Sequence, residues 1–163
     1  MDAQTRQHTE EIFLTISLAA ARTKVYALRA EKDGCKQLAK LLYAIAVSED
    51  SQAIRLLFQL RGQIGKNEQN FNTAFVKEIP GFIAKYEEAL ITAEKAGERA
   101  MQSVFQQSAK VHQIHLNLKK KLDNAPLKEN AYHVCTFCGF IMENHAPEKC
   151  PICTAPASRF TKI

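Results

Sequence analysis

The chain has no tryptophan, only six glycines, and five prolines, none of them before position 80. So few breakers in the first half favour long helices. No stretch approaches the roughly 18 consecutive apolar residues of a membrane span. The run Ile12 to Ala21 ends in small residues, as a secretory leader does, but it is short. Glu10 and Glu11 stand where a leader is positive, and Arg22 closes it, so it reads as a buried helix face. The formal charge of +5 is dispersed among Glu and Asp. Its densest cluster, Lys119 to Lys121, falls at the end of a predicted helix, where cations complement the dipole. Nucleic acid is therefore not the expected partner. Four of the five cysteines lie close together near the C-terminus and Cys35 stands alone, a usage that fits a reducing cytosol.

What is present is helical periodicity. Residues 9 to 33 place Ile12, Ile16, Ala19, Ala20, Ala27 and Ala30 at helical spacing and stop at Asp33-Gly34. A second helix is predicted from Lys36 to Leu60, with Leu38, Leu41, Leu42, Ile45, Ile54, Leu57 and Phe58 on its buried stripe. Residues 61 to 65 break it. A third is predicted from about Asn70 to Ala96, interrupted at Pro80-Gly81. After Gly97 a fourth runs from Glu98 to Leu122, turning Met101, Val104, Phe105, Ala109, Val111, Ile114 and Leu118 inward. Four such helices, paired by two glycine corners, predict an all-α four-helix bundle over residues 1–122. The irregular stretch from Arg61 to Asn70, about 33–36 Å when extended, reaches along about one such helix. Both a crossover and an up-and-down path fit.

Residues 123–131, with Pro126 and no apolar period, read as a linker. Residues 132–163 then carry Cys135-x-x-Cys138 and Cys150-x-x-Cys153, two pairs separated by eleven residues. Each pair makes a tight knuckle that turns two sulfurs inward, and two knuckles close a tetrahedron around one ion. Gly139, directly after the second cysteine, suits the left-handed residue that such a turn needs. Phe137, Phe140, Ile141, Ile152 and Phe160 supply an apolar shell, and so small a unit folds around its metal. Tetrahedral sulfur accepts either iron or zinc. Cys35, at the start of the second helix, reads as a structural or surface thiol, and His8, His133 and His145 have no matched partner.

This pattern resembles the rubrerythrin family, a ferritin-like four-helix bundle followed by a rubredoxin-like domain with a four-cysteine metal site. The likeness is close in the tail, through His133-Val134-Cys135, Cys138-Gly139, Ala146-Pro147-Glu148-Lys149-Cys150-Pro151, Ala155-Pro156 and Phe160. It is looser in the helices, through Asp33-Gly34, Ile64-Gly65 and Gly97. Thr154 departs from the glycine often found in the second knuckle, a change expected to stiffen or strain that turn. The resemblance implies a mononuclear rubredoxin-type iron centre passing electrons to a di-iron site in the bundle. It also implies a homodimer in which the metal domain docks on the neighbouring bundle.

The di-iron ligands that the resemblance implies are mostly missing. The first helix has no acid between Ile12 and Ala30, and the expected glutamate falls at Ile16 or Ala20. The second keeps Glu49 but has Gln52 for histidine. The third keeps Glu78 but has Gly81 for glutamate, and the fourth has His112 for glutamate and keeps His115. Two carboxylates do not neutralise two iron ions, so a di-iron centre is not expected. Glu49, Glu78, His112 and His115 remain as a residual set suited to a single metal, or as a retired pocket. The expected function is electron transfer through iron at Cys135, Cys138, Cys150 and Cys153, to a protein that the sequence does not name. Two alternatives stand beside it: zinc in the same site of a structural interaction module, and a peroxide reductase with an atypical bundle metal.

Overall fold

The computed structural model describes residues 1–60, 64–124 and 129–163. The remainder of the predicted break after the second helix and of the linker, Pro126 included, lies outside the described residues. The helices are α1 (Ala3–Lys32), α2 (Lys36–Gln59), α3 (Asn67–Asn72), a π-helical segment (Thr73–Glu78), α4 (Ile79–Lys95) and α5 (Arg99–Asn124). Three short strands follow, β1 (Tyr132–Cys135), β2 (Ile141–Glu143) and β3 (Phe160–Lys162). The fold class is the predicted one: four long helical arms, then a small cysteine-rich sheet domain. No described helix is long and apolar enough to cross a membrane. The chain forms two compact units, Met1–Lys66 and Asn67–Ile163.

The first unit is the α1–α2 hairpin. Asp2 caps α1 by accepting from the Thr5 N–H at 2.9 Å. At its far end the Cys35 N–H reaches the Ala30 carbonyl at 2.8 Å and the Gly34 N–H reaches that of Glu31 at 3.0 Å. This is a Schellman closure, with Gly34 supplying the left-handed residue at φ 79°. The seam is lined by small residues: Ala20, Thr23, Ala27 and Ala30 face Ala39, Ala46 and Ala53. The α2 set recurs every seven residues and the α1 set alternates threes and fours, which keeps both stripes on one contact line. Small side chains let the backbones approach closely. The larger stripe predicted to be buried on α2 is not: Leu38, Leu41, Ile45, Ile54 and Phe58 are exposed, as is Ile12 on α1. A two-helix seam covers only a narrow strip, and the alanines occupy it.

The second unit opens with the third predicted helix as one arm, and the interruption expected at Pro80-Gly81 takes the form of a π-helical segment just before it. The chain passes from α3 through the π segment into α4, where Pro80 sits in the first turn. A proline lacks the N–H that would bond four residues back, and its ring crowds that carbonyl. The wider turn relieves both: the Ile79 N–H bonds the Ala74 carbonyl, five residues back. The α4–α5 corner repeats the first one, with Glu98 N–H to the Ala93 carbonyl at 2.9 Å and Gly97 N–H to that of Glu94 at 3.1 Å. Its seam differs. Ala93 and Val111 are buried, but Tyr86, Phe105 and His112 gather between the arms, with Tyr86 5.5 Å from His112 by ring centroid. Met101 and Val104, predicted to face the core, are exposed.

The sheet has the order β2-β1-β3, antiparallel throughout. Val134 pairs with Ile141 on one side and Thr161 on the other, and Cys135 pairs with Phe160. The sheet thereby brings both ends of the domain to the first knuckle.

Candidate metal centre

The two knuckles are the same structure built twice. In the first, the Gly139 N–H bonds the Cys135 carbonyl at 2.9 Å and the Cys135 N–H bonds the Phe140 carbonyl at 2.8 Å. In the second, the Thr154 N–H bonds the Cys150 carbonyl at 2.9 Å and the Cys150 N–H bonds the Ala155 carbonyl at 2.8 Å. Strand β1 aims the first knuckle and the Lys149–Pro156 bridge closes the second. Thr136 ties the first knuckle to the chain end, its N–H and hydroxyl both donating to the Arg159 carbonyl at 2.8 and 2.9 Å.

The four sulfurs converge as predicted. Their ligand atoms all lie within 4.8 Å of one another, with Cys135–Cys153 at 3.7 Å and Cys138–Cys150 at 3.6 Å. Metal–sulfur bonds of about 2.3 Å give a regular tetrahedron with edges of about 3.8 Å. The spacing therefore fits one tetrahedral ion, and it is far too long for disulfides between neighbouring thiols. Cys135 and Cys150 are each 1% exposed, whereas Cys138 and Cys153 are half-buried.

Backbone donors address the sulfurs. Burial pushes the Cys138 thiol well up and that of Cys153 up, against the N–H groups of Phe140 and Ala155 that favour their thiolates. Burial also opposes ionisation of Cys150, yet the N–H groups of Cys153 and Ile152, together with the thiols of Cys153 and Cys138, hold that thiol below its usual value. A site with donors already facing the sulfurs is prepared for negative charge, which a bound cation then neutralises.

Around the sulfurs is an apolar shell that includes a helix. Cys135, Cys150 and Phe140 form one buried cluster with Val111 of α5, and Ile114, Met142, Ile152 and Phe160 pack against it. Phe140 and Phe160 meet edge to face at 6.3 Å. Phe137, predicted to join the shell, is instead 74% exposed. The metal domain thus packs on α5 of its own chain, reinforced by Lys121 donating to Glu143. The helical period alone assigns Val111 and Ile114 to a helical core. Their spacing of three marks the face, but nothing local in the sequence says what covers it.

Of the residual set, Glu49 is half-buried on α2 in the first unit, and its Oε2 is buried without a partner. Glu78 is exposed in the π segment. His112 points its Nδ1 at the Ser108 carbonyl at 2.9 Å, and its ring lies 5.4 Å from those of Phe82 and His115. His115 has a buried Nε2 without a partner; burial lowers its pKa, His112 lowers it further, and the Gly139 backbone opposes both. Among the described residues, the four cysteines are the one group of three or more such side chains whose ligand atoms converge. Ala20, at one position of the missing glutamate, is buried in the alanine seam, and Gln52 is exposed beside Ser48. A side chain at Gly81 would meet nothing within 4 Å.

The chain is similar to known proteins both in its tail and along its length. Residues 133–161 match the family model for the rubrerythrin, rubredoxin-like domain. The chain is 27% identical to a rubrerythrin of Porphyromonas gingivalis, over 97% of this chain and 89% of that one. Solved structures of nigerythrin in its partially reduced and all-ferrous states align over the full chain and 88% of theirs. Their identities are 22% and 21%, with TM-scores of 0.46 and 0.49. The four-cysteine unit thus carries the rubrerythrin, rubredoxin-like domain, and the chain is similar to a rubrerythrin over nearly its whole length.

Proposed function

We propose that this protein is an electron-transfer member of the rubrerythrin family, carrying a mononuclear iron at Cys135, Cys138, Cys150 and Cys153. The observation that carries the reading is the convergence of four sulfurs at tetrahedral spacing inside an apolar shell. Iron held by four thiolates supplies a one-electron couple with little change of geometry. The chain's own part is to fix the sulfurs and to limit water. Cys135 and Cys150 anchor the site from within, backbone N–H groups stabilise sulfur charge, and Phe140, Phe160 and Val111 keep the inner side dry. Phe137 and the half-exposed Cys138 and Cys153 leave an edge at which a redox partner can approach.

In this reading the division is 1–122, 123–131 and 132–163, and the compartment is a reducing one, the cytosol. The active form is a homodimer. With one side of the metal domain against its own α5, the neighbouring chain is met through the Phe137 edge. Loss of most bundle ligands belongs to the same reading.

Purification from iron-replete cells tests it. The expected product is red, with thiolate-to-iron bands that bleach on one-electron reduction and return on oxidation, and with one metal per chain. A colourless protein that still holds zinc after refolding with ferrous iron overturns it in favour of a structural module. Two metals per chain give the residual set Glu49, Glu78, His112 and His115 an ion, and three restore the di-iron peroxidase.

A further inference from the structure

The knuckles share their hydrogen bonds but not the residue at the left-handed position. Gly139 holds it in the first at φ 80°, and Thr154 holds it in the second at φ 63°. Among the described residues one other non-glycine has positive φ, Asn144 at 69°. Asparagine visits that region with little cost, whereas a β-branched residue there is a genuine outlier. Thr154 is exposed, and its hydroxyl donates to the Cys153 carbonyl at 2.6 Å, a local bond that holds the turn without unstraining it. The first knuckle is also braced from outside, since Val111 Cγ1 lies 3.8 Å from where a Cβ on Gly139 would sit. Cys138 and Cys153, the outer ligands of the two knuckles, are alike in being half-buried. Exposure does not choose between them, so the backbone behind each one does.

We propose that Thr154 makes the second knuckle the yielding half of the metal centre, so that Cys153 is the first ligand to leave and metal exchange runs through it. On leaving, the Cys153 thiolate takes a proton from water, and an incoming donor fills its place. The freed Thr154 backbone returns to the extended region, which favours the opened state by the strain released. Glycine at 154 removes that strain but gains more freedom on opening, a partial offset. The net effect is therefore smaller than the full left-handed penalty. The inference rests on the four-cysteine site alone and is indifferent to the iron reading.

The test uses the full chain loaded with zinc, which isolates ligand exchange from redox chemistry. Release is followed with an excess of chromogenic chelator, and the cysteine that opens first is mapped by limited iodoacetamide labelling and mass spectrometry. In the native sequence Cys153 is expected to label several-fold ahead of Cys138. Thr154→Gly should slow release about three- to tenfold and bring Cys153 labelling down to that of Cys138. Thr154→Asn should fall between, and Thr154→Val, which keeps the branch, should release at least as fast as the native chain. Cys138 labelling first, or Thr154→Gly releasing as fast as the native protein, overturns the proposal. So does a chain that takes up no zinc.

Discussion

The two helical hairpins turn at the same corner and fill their seams differently. Gly34 and Gly97 close α1 and α4 with matching pairs of hydrogen bonds. Beyond the corner, α1–α2 is sealed by alanines, with the half-buried Glu49 between Ala46 and Ala53 as the ionisable group nearest that strip. The α4–α5 hairpin instead places Tyr86, Phe105 and His112 between its arms, and α5 offers Val111 to the metal domain. Corner chemistry fixes antiparallel geometry in both. Seam chemistry separates a plain structural arm from one that carries imidazoles and seats a metal site.

The largest expected effect separates the metal domain from both hairpins. Stripping the ion with a strong chelator, or Cys150→Ser, should abolish the β2-β1-β3 sheet and its amide protection. A domain this small folds with its metal. Far-ultraviolet circular dichroism should keep most of its helical signal. Loss of helix in proportion to metal would show that α5 and the sulfurs fold as one body.

Next in size is a contrast inside the first hairpin. Ala46 is fully buried in the close-packed seam, so Ala46→Leu forces the arms apart and should destabilise by about 1–3 kcal/mol in urea titration. Leu41→Ala, at a position 56% exposed, should stay within about 0.5 kcal/mol. The reverse order would mean that the leucine stripe, not the alanine seam, is the working core.

The two corners should respond alike and more modestly. Gly34→Ala and Gly97→Ala each force a side chain into positive φ without meeting any atom within 4 Å, so only backbone strain is added. About 1 kcal/mol each is expected. Unequal losses would break the equivalence of the corners.

The smallest effect is a pH dependence confined to the second hairpin. The folded-state pKa of His115 lies below its ordinary value. The unfolded chain therefore binds a proton in a range where the folded one does not. Stability should be level above about pH 6.5 and fall as pH drops from there toward the folded value. His115→Gln should flatten that slope in metal-loaded protein followed by thermal unfolding, measured where the metal is retained. An unchanged slope would show that His115 is not its source.

How much of this was legible varies with the range of the interaction. The knuckles could be read from two-residue cysteine spacing and one glycine, because each is closed by bonds within six residues. The corners were legible at Gly34 and Gly97 for the same reason. Pro80 marked where the third arm is irregular but not how, since the π segment that absorbs it has no local signature. The stripe on α2 misled: Leu38, Leu41 and Ile45 share a helical period with Ala39, Ala46 and Ala53, and periodicity alone does not say which set meets α1.

By itself, then, the sequence determined the four-sulfur site, the helical arms and their glycine turns, all of them consequences of short-range geometry that each residue type either permits or forbids. Tertiary structure alone decided that alanines seal the first hairpin, that Phe137 faces solvent, and that the metal domain rests on Val111 of its own α5. Those outcomes depend on which surfaces approach closely enough to exclude water, and a pattern repeated on two faces of one helix leaves that choice to packing.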